Sequence, residues 1–87
     1  MTLEKGMIFI DDEGDYLTIT DFDEEANDYG EVEEWANLVW YHTLDELQSD
    51  IHSFESDSMD IEKVERKIEL GLFTLINPKI NWERRLS

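Results

Sequence analysis

The chain has 87 residues and no cysteine, enough for one thin layered core but not two. It therefore offers no disulfide framework, thiolate metal site or thiol nucleophile. Apolar residues make up 40% and aromatics 11%, Trp35, Trp40 and Trp82 among them, so this is a globular domain spanning 1–87 and not a disordered acidic tail. Its 23 acidic and 7 basic residues give a net charge of −16 at pH 7, which disfavours direct contact with a nucleic-acid backbone and favours a cationic protein surface.

The charge is unevenly placed. Residues 1–62 hold 20 of the acids and one base, Lys5, whereas residues 63–87 hold 3 acids and 6 bases. Unless the fold interleaves these parts, one side carries a field of several kT. The longest apolar run lies around Leu70 to Ile76 and is broken by Gly71 and Thr74, far short of the roughly 20 residues of a membrane span. Met1 to Gly6 has none of the features of an export signal. These readings predict a cytoplasmic protein that does not enter a membrane.

Met7 to Ile10 and Asp15 to Thr20, separated by Asp11-Asp12-Glu13-Gly14, read as a β-hairpin. Alternation predicts Ile8 and Ile10 on one face with Leu17 and Ile19, and Met7, Phe9, Tyr16 and Thr18 on the other. Because both faces are partly apolar, a curled sheet or partial barrel is expected. Asp21 to Glu34 reads as an acidic connection, part of which continues a strand. A third strand follows from Trp35 to His42. Thr43-Leu44-Asp45-Glu46 matches a capping box and predicts a helix to near Phe54, with Leu44, Leu47, Ile51 and Phe54 as its apolar stripe. Ser53 to Ser58 reads as a polar break. Asp60 caps a second helix carrying Ile61, Val64 and Ile68, which Gly71 stops. Leu72 to Ile76 reads as a final strand closed by Asn77-Pro78 in preference to more helix, and Ile80, Trp82 and Leu86 anchor the tail beside Arg84 and Arg85. The predicted class is α+β: a small antiparallel sheet of the hairpin, the third strand and a candidate fourth, packed with two short helices.

Motifs for chemistry are absent. Asp11-Asp12-Glu13-Gly14-Asp15 superficially resembles a calcium loop, but Phe9 and Thr20 stand where two ligands belong, so a solvated turn is expected. His42 with Glu46 is an i, i+4 pair that capping explains without a metal. Carboxylates are plentiful, yet a catalytic one needs burial or a close partner, and the serines lack an elbow or a base. The aromatics Tyr16, Tyr29, Trp35, Trp40 and Tyr41 read as core or as protein-contact hot spots, because stacking platforms for bases sit in basic grooves. No enzyme activity, cofactor or metal is expected.

Attention falls on Asp11, Asp12, Glu13, Asp15, Asp21, Asp23, Glu24, Glu25, Asp28, Glu31, Glu33 and Glu34 as partner-binding residues. Alternate residues on a strand lie about 7 Å apart, close to the phosphate spacing along a nucleic-acid strand. In size, lack of cysteine, charge and α+β character the chain resembles, as a class, the small acidic proteins that phages and mobile elements make against host nucleic-acid enzymes. These include uracil-DNA glycosylase inhibitors, anti-restriction proteins and anti-CRISPR proteins. The resemblance carries no shared motif. It implies a non-enzymatic inhibitor in the host cytoplasm whose carboxylates occupy the nucleic-acid cleft of a basic target, with the positive C-terminal part touching elsewhere or forming a homodimer contact. The alternative is a phage or bacterial accessory interaction module with an apolar partner surface, whose acidity gives solubility.

Overall fold

A computed structural model describes residues 2–77; the tail reading, Lys79 to Ser87, lies outside the described residues. The elements are β1 (Ile8–Asp11), β2 (Tyr16–Ala26), β3 (Val32–Tyr41), α1 (Leu44–Ser49), β4 (Glu55–Asp60), α2 (Ile61–Glu69) and β5 (Phe73–Asn77). They form a five-stranded antiparallel sheet of order β4-β3-β2-β1-β5 with two helices, an α+β fold.

The first hairpin turns through three residues. The Asp11 N–H donates to the Asp15 carbonyl at 2.9 Å and the Gly14 N–H to the Asp11 carbonyl at 3.1 Å, with Gly14 at φ 88°, a conformation that glycine adopts without steric cost. An odd loop pairs residues of like parity: Ile8 with Thr18, Phe9 with Leu17 and Ile10 with Tyr16. This corrects the expected faces. Met7 and Phe9 share the main core with Leu17 and Ile19, while Ile8 joins Tyr16 and Tyr41 on the other side.

The sheet is covered on both faces. On one, α2 places Ile61, Val64 and Ile68 over Phe9, Leu17, Ile19, Leu38 and Trp40. On the other, Leu44 and Leu47 of α1 pack against Ile8, Val39 and Tyr41. The Trp40 and Phe73 rings approach to 6.4 Å between centroids although β2 and β1 lie between their strands.

One extra residue governs the rest of β2. Its register with β3 shifts between Ile19, opposite Leu38, and Asp21, opposite Asn37, leaving Thr20 unpaired in a bulge. Such an insertion reverses the alternation of everything beyond it. Leu17 and Ile19 face the core, and an unbroken strand would send Asp21, Asp23 and Glu25 after them. The bulge turns those carboxylates outward and puts Phe22, opposite Ala36, against the core.

The acidic connection is accordingly corrected. Most of Asp21 to Glu34 is strand, joined by a tight turn at Asn27 to Glu31. Helix α1 is also shorter than expected. It ends at Ser49 because Asp50 adopts a left-handed conformation at φ 56° and its carboxylate accepts the buried Tyr41 hydroxyl at 2.6 Å. Ile51 and Phe54 are therefore exposed, and the Phe54 ring stacks on His42. The polar break at Ser53 to Ser58 instead leads into β4, an edge strand in which only Met59 is buried. Its backbone pairing with β3 needs no apolar alternation, and charge on an edge discourages further strands. The Thr43 cap, the Asp60 cap, the stop at Gly71 (φ 77°) and the final strand stand as read. Glu46 reaches back to the Thr43 hydroxyl at 3.1 Å.

Deleting Thr20 removes the extra residue and leaves Ile19 opposite Leu38 and Asp21 opposite Asn37 in an unbroken ladder, so Asp21, Asp23 and Glu25 stay outward and the cooperative urea transition is expected to persist, whereas deleting Ile19 together with Thr20 should turn them toward the core and abolish it. Thr20→Ala keeps the residue count and is expected to cost about 1 kcal/mol or less, the scale of its single side-chain hydrogen bond to the Asn37 carbonyl. Truncating Phe73, which packs on both Phe9 and Trp40, to Ala should cost about 3–5 kcal/mol in the same measurement.

Candidate functional site

The twelve singled-out acidic residues separate into two groups. Asp11, Asp12, Glu13 and Asp15 lie around the β1–β2 turn, whereas Asp21, Asp23, Glu24, Glu25, Asp28, Glu31, Glu33 and Glu34 lie on the distal β2–β3 hairpin. Between Asp15 and Asp21 runs the first part of β2, Tyr16 to Thr20, in which Leu17, Thr18 and Ile19 are buried, a span of roughly 20 Å. They do not form one continuous patch.

The turn acids have local work. Asp11 Oδ1 accepts the Glu13 and Asp15 amides at 3.0 and 2.9 Å, and Asp15 Oδ1 lies 3.2 Å from His42 Nδ1. The distal turn is built the same way. Asn27 Oδ1 accepts the Tyr29 and Glu31 amides at 2.9 and 3.0 Å, the Gly30 N–H donates to the Asn27 carbonyl, and Gly30 sits at φ 79°. Asp11-Asp12-Glu13-Gly14 and Asn27-Asp28-Tyr29-Gly30 are thus one turn used twice. That spacing of Asp or Asn to Gly was the sequence signal for the second hairpin.

Beyond this geometry the distal hairpin becomes an arm. Pairing with β4 covers Trp35 to Trp40 and pairing with β1 covers Tyr16 to Thr18, so Glu24 to Ala26 and Val32 to Glu34 pair only with each other. Within the arm Glu24 stands directly opposite Glu34, and Glu25 opposite Glu33. Each face of this ribbon carries two like charges in direct register, which is destabilising. Among the described residues no carboxylate of the arm has a Lys or Arg ion-pair partner. Tyr29 at the tip is 89% exposed and Val32 63%, so apolar surface stands among the charges.

At the root of the arm, the bulge directs Asp21, Asp23 and Glu25 along one face, beside Trp35 and Asn37 of β3 and Ser58 of β4. Asn37 Nδ2 donates to Asp23 Oδ2 at 2.8 Å, and the Ser58 hydroxyl donates to Asn37 Oδ1. Asp23, Glu24, Glu25, Trp35 and Ser58 line an open groove of about 480 Å³. Trp35 was read from sequence as core or hot spot; the structure leaves it half-buried on this face. Asn37 and Ser58 were not singled out, because only the strand register brings them to Asp23.

Among the described residues the side chains weighed for metal binding are engaged elsewhere or apart. Among the described residues no three His, Asp or Glu side chains are grouped to hold a metal ion. Glu46 is bound to Thr43, and His42 meets Asp15 instead. Among the described residues no helix is long and apolar enough to cross a membrane. In comparisons with protein-family models, curated proteins and solved structures, no match to the chain was found.

Replacing one member of a like-charged pair, Glu25→Lys opposite Glu33, is expected to stabilise the fold by about 0.5 kcal/mol. Urea unfolding at low ionic strength measures this, and the gain should shrink in high salt.

Proposed function

We propose that the protein is a non-enzymatic inhibitor that inserts its acidic β2–β3 arm into the nucleic-acid-binding cleft of a basic target protein in the cytoplasm. The observation that carries this reading is the arm itself, a two-stranded ribbon with glutamates in direct register on both faces and no basic partner among the described residues. Folding gains nothing from that arrangement. Its strain is relieved when lysines and arginines of a target surround it.

Geometry supports the same reading. Asp21, Asp23 and Glu25 alternate along β2 on one face, giving a row spaced at about 7 Å that matches the scale of successive phosphates. Tyr29 and Val32 add apolar contact that charge alone does not provide. In this reading the acids of the β1–β2 turn contribute field and solubility, and the arm contributes contact.

A second reading is an accessory interaction module that docks through apolar side chains, with acidity serving solubility. It draws on the exposed Ile51, Phe54, Leu70 and Ile76, which lie off the arm. Ionic strength discriminates the two, because charge-driven association weakens steeply with salt and apolar docking does not.

Capture from bacterial lysate on the immobilised protein, followed by a salt gradient and mass spectrometry, is the test. A nuclease, glycosylase, polymerase or similar nucleic-acid enzyme should elute with rising salt. Glu25→Lys combined with Glu33→Lys should abolish its capture, while Asp12→Lys combined with Glu13→Lys should leave capture largely intact. Salt-resistant partners whose capture ignores the arm substitutions would replace this reading with the second one.

A further inference from the structure

The open sheet face at the root of the arm combines an aromatic ring with oriented carboxylates. Trp35 is half-buried, and its Nε1 is sealed from solvent without a hydrogen-bond partner among the described residues. The indole therefore presents ring carbon, not its N–H, to whatever approaches. Asp23 stands directly opposite Trp35 on β2, and Asp21 and Glu25 flank it on the same face. The Asn37 amide holds the Asp23 carboxylate from one side at 2.8 Å, leaving its other lone pairs free.

A planar cation fits this surface better than a point charge. A guanidinium can lie on an indole face and still direct N–H groups in its own plane to a neighbouring carboxylate, whereas a lysine ammonium is compact and more strongly hydrated. We propose that the face around Trp35 docks an arginine side chain of the partner, stacked on the indole and hydrogen-bonded to Asp23, with Asp21 and Glu25 supplying the surrounding negative field. This inference rests on the proposal that the arm enters a basic cleft, and it names which basic residue anchors there. The carboxylates alone would accept any cation; the aromatic ring beside them provides the preference for arginine.

The test titrates the protein with tetra-arginine and tetra-lysine peptides at low salt, following the indole and backbone N–H resonances by NMR and affinity by calorimetry. Tetra-arginine should bind more tightly by about five-fold, the scale of a cation–π contact at an exposed site, and should displace the Trp35 indole resonance. Trp35→Leu should bring the two peptides to equal affinity while weak charge-driven binding persists. Asp23→Asn, which can retain the contact with Asn37, should weaken tetra-arginine selectively and provides a readout that does not depend on replacing a half-buried ring. Equal affinity of the two peptides for the wild-type protein, or shifts confined to the Asp11 to Gly14 turn, overturns the inference. If the peptides bind equally but arm charge reversal still abolishes target capture, only the arginine anchor falls. Unchanged target capture by the arm variants refutes the cleft-binding reading, and the peptide preference still decides whether Trp35 selects arginine.

Discussion

The bulge at Thr20 is the constraint on which the rest of the molecule depends. Up to Ile19, β2 gives its odd-numbered residues to the core; from Asp21 onward it gives them to solvent. One unpaired residue thus lets a single strand serve as core at one end and as an acidic ribbon at the other. Were Thr20 paired in regular alternation instead, burial of the three carboxylates would cost several kcal/mol each unless they were protonated or paired. With the bulge, Phe22 extends the core to the base of the arm and anchors a segment that has few apolar side chains of its own.

The two halves of the molecule have opposite energetic logic. The sheet around Phe9, Trp40 and Phe73, covered by α2 and backed by α1, is well-packed and brings its aromatic rings together. The arm is paired only to itself at its far end and sets Glu24 against Glu34 and Glu25 against Glu33. The proposed binding role accounts for this arrangement, because local stability is commonly given up where a surface serves recognition.

How much of this was legible in the sequence follows from what each element rests on. The capped starts of α1 and α2, the glycine stop at Gly71 and the strand at Phe73 are set by local chemistry and were readable. The faces of the first hairpin were misassigned because loop parity, not alternation alone, sets which residues pair. The strand nature of Asp21 to Glu34 was hidden by the bulge, which breaks the alternation where the acids begin. The turn at Asn27 to Gly30 repeats the one at Asp11 to Gly14, and that likeness was present in the sequence. Strand β4 was missed because an edge strand with one buried residue is held by backbone pairing that side chains do not announce. Among the site residues, the acids of the arm were visible as composition; their separation from the turn acids, and the meeting of Trp35, Asp23, Asn37 and Ser58, depend on register across three strands.

Mimicry makes a claim about competition that neither charge nor stability addresses. The most direct measurement is to form the complex with the captured nucleic-acid enzyme and titrate in that enzyme's own nucleic-acid substrate, following release of the protein at fixed ionic strength. Competitive displacement, with the apparent affinity for substrate falling in proportion to added protein, is the expected result. A ternary complex in which enzyme holds substrate and this protein together would contradict it.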